Sequence, residues 1–330
     1  MNAKNRMRNT DLIQEMVSDE FINFCRQKII PALKPLESQR EFYIVGAIII
    51  GILGAIFCLW MLFYIVIPSL TTNSKNADDL IYGFFAAALG FNWLVYRILK
   101  HYKTKAKQVV FDKLFSYWGN FKYFPKIKDY NDRNEAYIHD LKLFSLFNQY
   151  DCDDFISGEY NGLKMDIQEL DLRYVTGSGR NRRVIQIFKG VLVISSCNKK
   201  FDGKTIVSTD RGMLNSLNGI AGLKNVKLED PVFEKYFEVY STDQIEARYL
   251  LTSAFMNRLV KCARKSKDMK IMCSFEHGKI NLAFANSKDW FEVPVTKPVT
   301  DIRNYQSVLL ELATILSVID ALKLEDNIGL

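Results

Sequence analysis

The chain has 330 residues, a net charge of +7 and 48% apolar residues, enough to bury a sizeable core. Its six cysteines (Cys25, Cys58, Cys152, Cys197, Cys262, Cys273) are scattered singly, which excludes a disulfide scaffold and a paired-cysteine zinc site and fits reduced, mostly buried thiols. The mean hydropathy is near zero, an average in which a long charged remainder dilutes two strongly apolar windows.

The first element is an amphipathic helix over Thr10 to Ile30, with Ile13, Val17, Phe21 and Phe24 on one face. Asp11 and Glu15 near its start and Arg26 and Lys28 near its end suit the helix dipole. Its polar face mixes both signs, so it is expected to pack on a cytoplasmic domain, with a surface-lying or partner-binding helix as the alternative. Residues 1–41 form this cytoplasmic amino-terminal part, and Pro31 and Pro35 are expected to break the helix before the membrane.

Phe42 to Leu70 and Leu80 to Tyr96 are uncharged and apolar, separated by the polar stretch Thr71 to Asp79. They predict a two-helix transmembrane hairpin over residues 42–99, with spans at about 43–67 and 80–99. The second reaches bilayer length through Ile98 and Leu99 if Arg97 snorkels. The first run starts too deep in the chain, and is too long, for a signal peptide. Met1 to Glu41 carries seven Lys and Arg, Arg97 to Lys128 carries nine, and the intervening loop carries only Lys75. That asymmetry predicts a multi-pass protein of the cytoplasmic membrane with both termini cytoplasmic. Ala47, Gly51 and Ala55 recur every four residues in the first span, as do Gly83 with Ala87 and Ala86 with Gly90 in the second. Small residues in such stripes let backbones approach, so the two spans are expected to pack on each other; a homo-oligomer or a channel wall is the alternative. Asn92, one amide in the second span, is far short of an ion pathway.

Residues 100–150 read as a membrane-proximal helical stalk, with Val110, Phe111, Leu114, Phe115 and Trp118 in helical register until Pro125, then a helix over Asn134 to Gln149. Lys100, Lys103, Lys105 and Lys107 begin at the membrane end, which points to anionic lipid and away from nucleic acid. From residue 151 the period becomes strand-like. Phe155 to Tyr160 and Leu163 to Leu172 flank Asn161-Gly162, and Lys270 to Phe275 and Lys279 to Phe284 flank His277-Gly278, two hairpin signals. Val184 to Ser196 and Lys204 to Ser208 are further strands. A helical region spans Thr242 to Lys265, started by Ser241 and Gln244 as a capping box and restarted by Thr252, and Tyr305 to Lys323 carries an apolar stripe for packing on the sheet. Residues 151–330 are therefore expected to be a cytoplasmic α+β domain with a mainly antiparallel sheet.

Chemistry is sparse. Thr176 to Arg183 holds two glycines with Arg180, Arg182 and Arg183, but a strand follows it where a phosphate-binding fingerprint needs a helix. It reads as a hairpin loop, with a lipid headgroup or an acidic partner as the alternative contact. His101, His139 and His277 have no ligand partner at helical spacing, and there is no Walker loop, His-Glu-x-x-His or Gly-x-Ser-x-Gly. No cofactor, metal or catalytic set is predicted. The acids Glu229, Asp230, Glu234, Glu238, Asp243 and Glu246 read as helix-dipole and solubility groups.

The block Leu228 to Thr252, continued by Phe255 to Leu259, resembles the signature of a bacterial family called domain of unknown function 3137. Shorter resemblances lie at Phe188 to Leu192, Phe201 to Thr205, and Leu36, Glu37 and Arg40. The resemblance implies a two-span bacterial membrane protein with a cytoplasmic domain and no established activity; Ser253 stands where that family often has proline. The leading reading is a membrane-anchored interaction module that binds a protein or anionic lipid at the inner face. The alternative is an enzyme on a membrane-associated or phosphorylated substrate, using the arginines with Asp243 and Glu246.

Overall fold

The computed structural model describes residues 19–71, 77–125, 131–209, 222–265, 270–294, 296–322 and 324. Ile13 and Val17 of the amino-terminal helix lie outside them. The chain divides into two compact units: residues 1–22, 111–292 and 307–330, and residues 23–110 with 293–306.

The helical unit is built on two long helices. The first runs through α1 (Asp19–Phe24), a π turn (Cys25–Ile29), α2 (Ile30–Met61), a second π turn (Leu62–Val66) and α3 (Ile67–Thr71). Pro31 and Pro35 do not break it. Pro31 stands in the first turn of α2, directly after the π turn, and Pro35 lies one turn further inside the helix. The partner helix, α4 (Ala77–Phe115), has 39 residues, about 58 Å of rod.

The closest approach of these helices lies outside the stripes of small residues. A Cβ on Gly54 would lie 2.7 Å from Phe91, whereas one on Gly51 or Gly90 would meet nothing within 4 Å. Gly83 faces only the tip of Met61 at 3.5 Å. Of the predicted packing residues Ala47 is buried and Ala87 half-buried, while Gly51, Ala55, Gly83 and Gly90 are exposed. The seam is made by bulk against one glycine: Phe57 and Phe91 sit 5.8 Å apart, and Tyr43 and Tyr102 5.6 Å apart at the other end.

Residues 293–306 return to this unit and are latched to α2. Glu37 Oε1 accepts from Arg40 Nε at 2.9 Å and Nη2 at 2.6 Å, while its Oε2 accepts from the Val299 backbone N–H at 2.7 Å. Arg40 also donates to the Thr296 carbonyl, and the Tyr305 hydroxyl donates to that of Val299.

The other unit is α+β. Its antiparallel sheet orders the strands β1 (Lys122–Phe124), β2 (Gln149–Tyr160), β3 (Leu163–Thr176), β4 (Arg183–Ser196), β9 (Lys279–Ala285), β8 (Lys270–Glu276), β5 (Thr205–Ser208), β7 (Glu238–Ser241) and β6 (Lys224–Asn225). Positive φ at Asn161 and Gly162, and at His277 and Gly278, closes the two expected hairpins. Strand β1 lies inside the segment expected to be a helical stalk: α4 stops at Phe115, where the amides of Tyr117 and Trp118 turn back to Leu114 and Phe115.

One sheet face, with Leu170, Leu172, Leu192, Met272 and Ala283, packs against Ile138 and Leu141 of α5 (Asn131–Leu141). The helix expected to reach Gln149 ends at Leu141 because Lys142 adopts positive φ. Buried amides also hold α5 down: Asn134 Nδ2 donates to Gln168 Oε1 at 2.5 Å, and Tyr137 donates to Asn281 Oδ1 at 2.8 Å. On the opposite face Phe275 meets Phe255 of α8 (Ser253–Lys265). Short helices α6 (Pro231–Tyr236) and α7 (Gln244–Leu250) flank β7, and α9 (Gln306–Leu322) closes the chain with Val308, Leu312, Ile315, Leu316 and Ile319 buried.

Candidate membrane and partner surfaces

The apolar windows of the first long helix and of α4 carry almost no burial. Ile48, Ile52 and Ile56 of α2, and Phe85, Leu89 and Trp93 of α4, are each more than half exposed. Both helices are long and apolar enough to cross a membrane, and so by length and composition is the helix over Ile302–Leu322. Burial separates them, since most of the window in that third helix lies inside the protein.

Beyond the apolar part of α4 the four predicted lysines divide. Lys100 and Lys105 are exposed, Lys103 is half-buried, and Lys107 is 7% exposed and so withdrawn from any surface. Lys100 lies over the Tyr96 ring and donates to its hydroxyl, which holds the ammonium beside the last aromatic ring of the second apolar run.

Arg180, Arg182 and Arg183 are exposed in the β3–β4 turn, where Gly179–Asn181 makes one 3₁₀ turn. Among the described residues none of their side chains has a hydrogen-bond or ion-pair partner. No acid occurs from Leu172 to Phe201. The structure does not gather them with the acids of the alternative enzyme reading, because β9, β8 and β5 lie between β4 and β7. Those acids serve the backbone. Asp243, not the Ser241–Gln244 pair, caps α7 by accepting from the amides of Ile245 and Glu246, and Asp230 caps α6 in the same way. Glu246 accepts the amides of Asp202 and Gly203 at 2.7 Å each, and Glu234 accepts that of Leu228. Thr252 caps α8 through the amide of Phe255, as expected.

One group of metal-type ligands forms that sequence spacing does not reveal. Asp140 at the end of α5 meets Glu276 and His277 at the β8–β9 turn, with ligand atoms within 4.8 Å of one another. These are the residues that could hold a cation, but the place is already served: Lys204 Nζ lies 2.7 Å from Glu276 Oε1 and donates to the Asp140 carbonyl at 2.5 Å. Nothing in the sequence pattern links residues 140 and 276, since only the fold juxtaposes α5 with that turn.

Nucleophile chemistry is equally muted. Burial pushes the Cys152 thiol up to about 12, and raises Cys197 and Cys273 as well, so all three are held as thiols.

A crystal structure of the mycobacterial trehalose monomycolate transport factor A, TtfA, is similar at 12% identity and a TM-score of 0.32 over 66% of this chain and 93% of that one, a likeness too low to argue from. No curated protein matches. Residues 186–324 match the family described as "Protein of unknown function (DUF3137)". That stretch contains Phe188 to Leu192, Phe201 to Thr205 and the long block from Leu228, while Leu36, Glu37 and Arg40 lie outside it.

Proposed function

We propose that this chain is a membrane-anchored module that holds its α+β unit at the inner face of a bacterial cytoplasmic membrane and binds a protein or anionic lipid partner there. The spans are residues 43–67 and 80–99, with both termini cytoplasmic. The observation that carries the reading is the row of uncovered apolar side chains on α2 and α4. Each large one left in water forgoes about 1.5–3 kcal/mol, which hydrocarbon would return. Lysine placement supplies the orientation, because Lys100 and Lys105 gain about 1 kcal/mol each beside an anionic leaflet. An interaction role is favoured over catalysis by where the carboxylates go: Asp230, Glu234, Asp243 and Glu246 are all spent on backbone amides.

Membrane fractionation with an alkaline carbonate wash, combined with reporter fusions, tests the reading. The chain should stay in the pellet, alkaline phosphatase inserted at Lys75 should be active, and a fluorescent protein fused after Leu330 should glow. A chain released by carbonate, or an active phosphatase after Leu330, would refute it.

A further inference from the structure

The geometry points to the outer edge of β4, from Arg183 to Phe188, as a docking edge for an extended acidic segment of a partner protein, which joins the sheet as one more strand. This rests on the interaction-module reading and names its partner's chemistry.

Strand β4 is longer than its neighbour. It pairs with β9 only from Gly190 to Ser196, and the chain leaves that ladder as the amide of Asn286 donates to the Lys189 carbonyl. From Arg183 to Phe188 the strand has β3 on one side and, among the described residues, no strand on the other. The matching overhang of β3 is closed. There β2 stops at the Gln149–Arg173 pair, and the Asn148 side chain carries on the ladder, donating to the Val175 carbonyl at 2.8 Å and accepting the Val175 amide at 2.7 Å. On β4 no side chain does this; Gln186 turns back to the Asp171 carboxylate and to the carbonyls of Leu172 and Phe188.

Natural sheets protect their edges with short strands, charges or proline. The terminal strands here obey, β1 having three residues and β6 two. The open part of β4 does not, because Val184-Ile-Gln-Ile-Phe188 is rich in β-formers and uncharged, with Val184 and Ile185 half exposed. A peptide strand would satisfy the free backbone groups and cover these side chains.

Charge selects the occupant. Arg180, Arg182 and Arg183 sit at the near end of the edge, and Asp171, the acid on β3 that accepts from Gln186, is already paired with Arg173, so a negative segment gains attraction that a second, equally basic β4 edge does not offer. A membrane is disfavoured by the order of residues: the arginines form the tip and the apolar pair lies behind them, whereas a lipid-inserting turn leads with apolar groups.

The test uses the full chain in zwitterionic nanodiscs with a fluorescent decapeptide of alternating Glu and Val, its Lys-Val counterpart, and a Glu-Val version with every second residue N-methylated. Polarisation reports binding, and amide hydrogen exchange reports where. The Glu-Val peptide should bind, slow exchange within 183–188 at least tenfold and leave β8 unchanged, and the other two should not. The R180E/R182E/R183E chain should bind at least tenfold more weakly while exchange in β8 shows the sheet intact.

The proposal falls if no peptide binds at about 1 mM, if protection appears elsewhere, or if 183–188 exchange slowly before any peptide is added. Slow exchange that grows with protein concentration would assign the edge to a second copy, and slow exchange only in anionic nanodiscs would assign it to lipid; either overturns the proposal. Failure of anchoring in the fractionation above leaves this outcome separately readable.

Discussion

Gly190 shows how a single missing atom shapes the sheet. Its φ is +151°, and a Cβ there would stand 2.0 Å from the Phe284 carbonyl on β9. Gly190→Ala should therefore cost about 1–3 kcal/mol, seen as an earlier unfolding midpoint in denaturant. In the helical unit Glu37 is the matching case, since one carboxylate serves both Arg40 and the Val299 amide. Glu37→Gln should weaken the latch by about 1–3 kcal/mol, and the Val299 amide should exchange roughly ten to a hundred times faster. At the thiols, Cys152 and Cys273 should resist maleimide at pH 8 until denaturant is added, because the thiolate is the reactive form and burial suppresses it. Residues of this kind are partly legible. Asn161-Gly162 and His277-Gly278 announce their turns, but the work of Gly190 and Glu37 depends on partners 94 and 262 positions away.

Among the helices, burial decides what hydropathy alone cannot. The helix over Ile302–Leu322 has the length and composition of a span, yet its Leu312, Ile315 and Leu316 are core residues, while Ile52 of α2 is bare. Cysteines placed at Ile52 and at Leu316 should behave oppositely toward a lipid-phase quencher or thiol probe, with only the first accessible in native membranes. Strands of useful length were readable because alternation needs about four residues to register, which is why β1 with three residues and β6 with two escaped, while β7 with four lies at that minimum. The stalk and the long α5 failed differently. The apolar pattern of Phe111, Leu114 and Phe115 is helical, but it cannot say that the helix stops there, and Phe144 and Phe147 keep a helical spacing after Lys142 has already turned the backbone. The small-residue stripes raise a third point: spacing finds faces where helices can approach, while the tightest approach, Gly54 under Phe91, belongs to neither stripe.

Taken whole, the chain is divided by contact and not by sequence order. The α+β unit takes in Met1–Ile22 and Phe111–Glu292, and it yields Val293–Gln306 to the helices before resuming at Ser307. A fragment that starts at Asp151 would lack β1 and α5, and with them Asn134, Tyr137, Ile138 and Leu141. It should be digested by low protease concentrations at which the α+β unit of the full chain survives, and a fragment that resists equally well would contradict the division. The Glu37 latch also bears on inheritance. An α+β unit whose chain detours to α2 cannot be passed between proteins as a detachable cassette; any graft onto another pair of helices would have to bring the acid at 37 along with its strap.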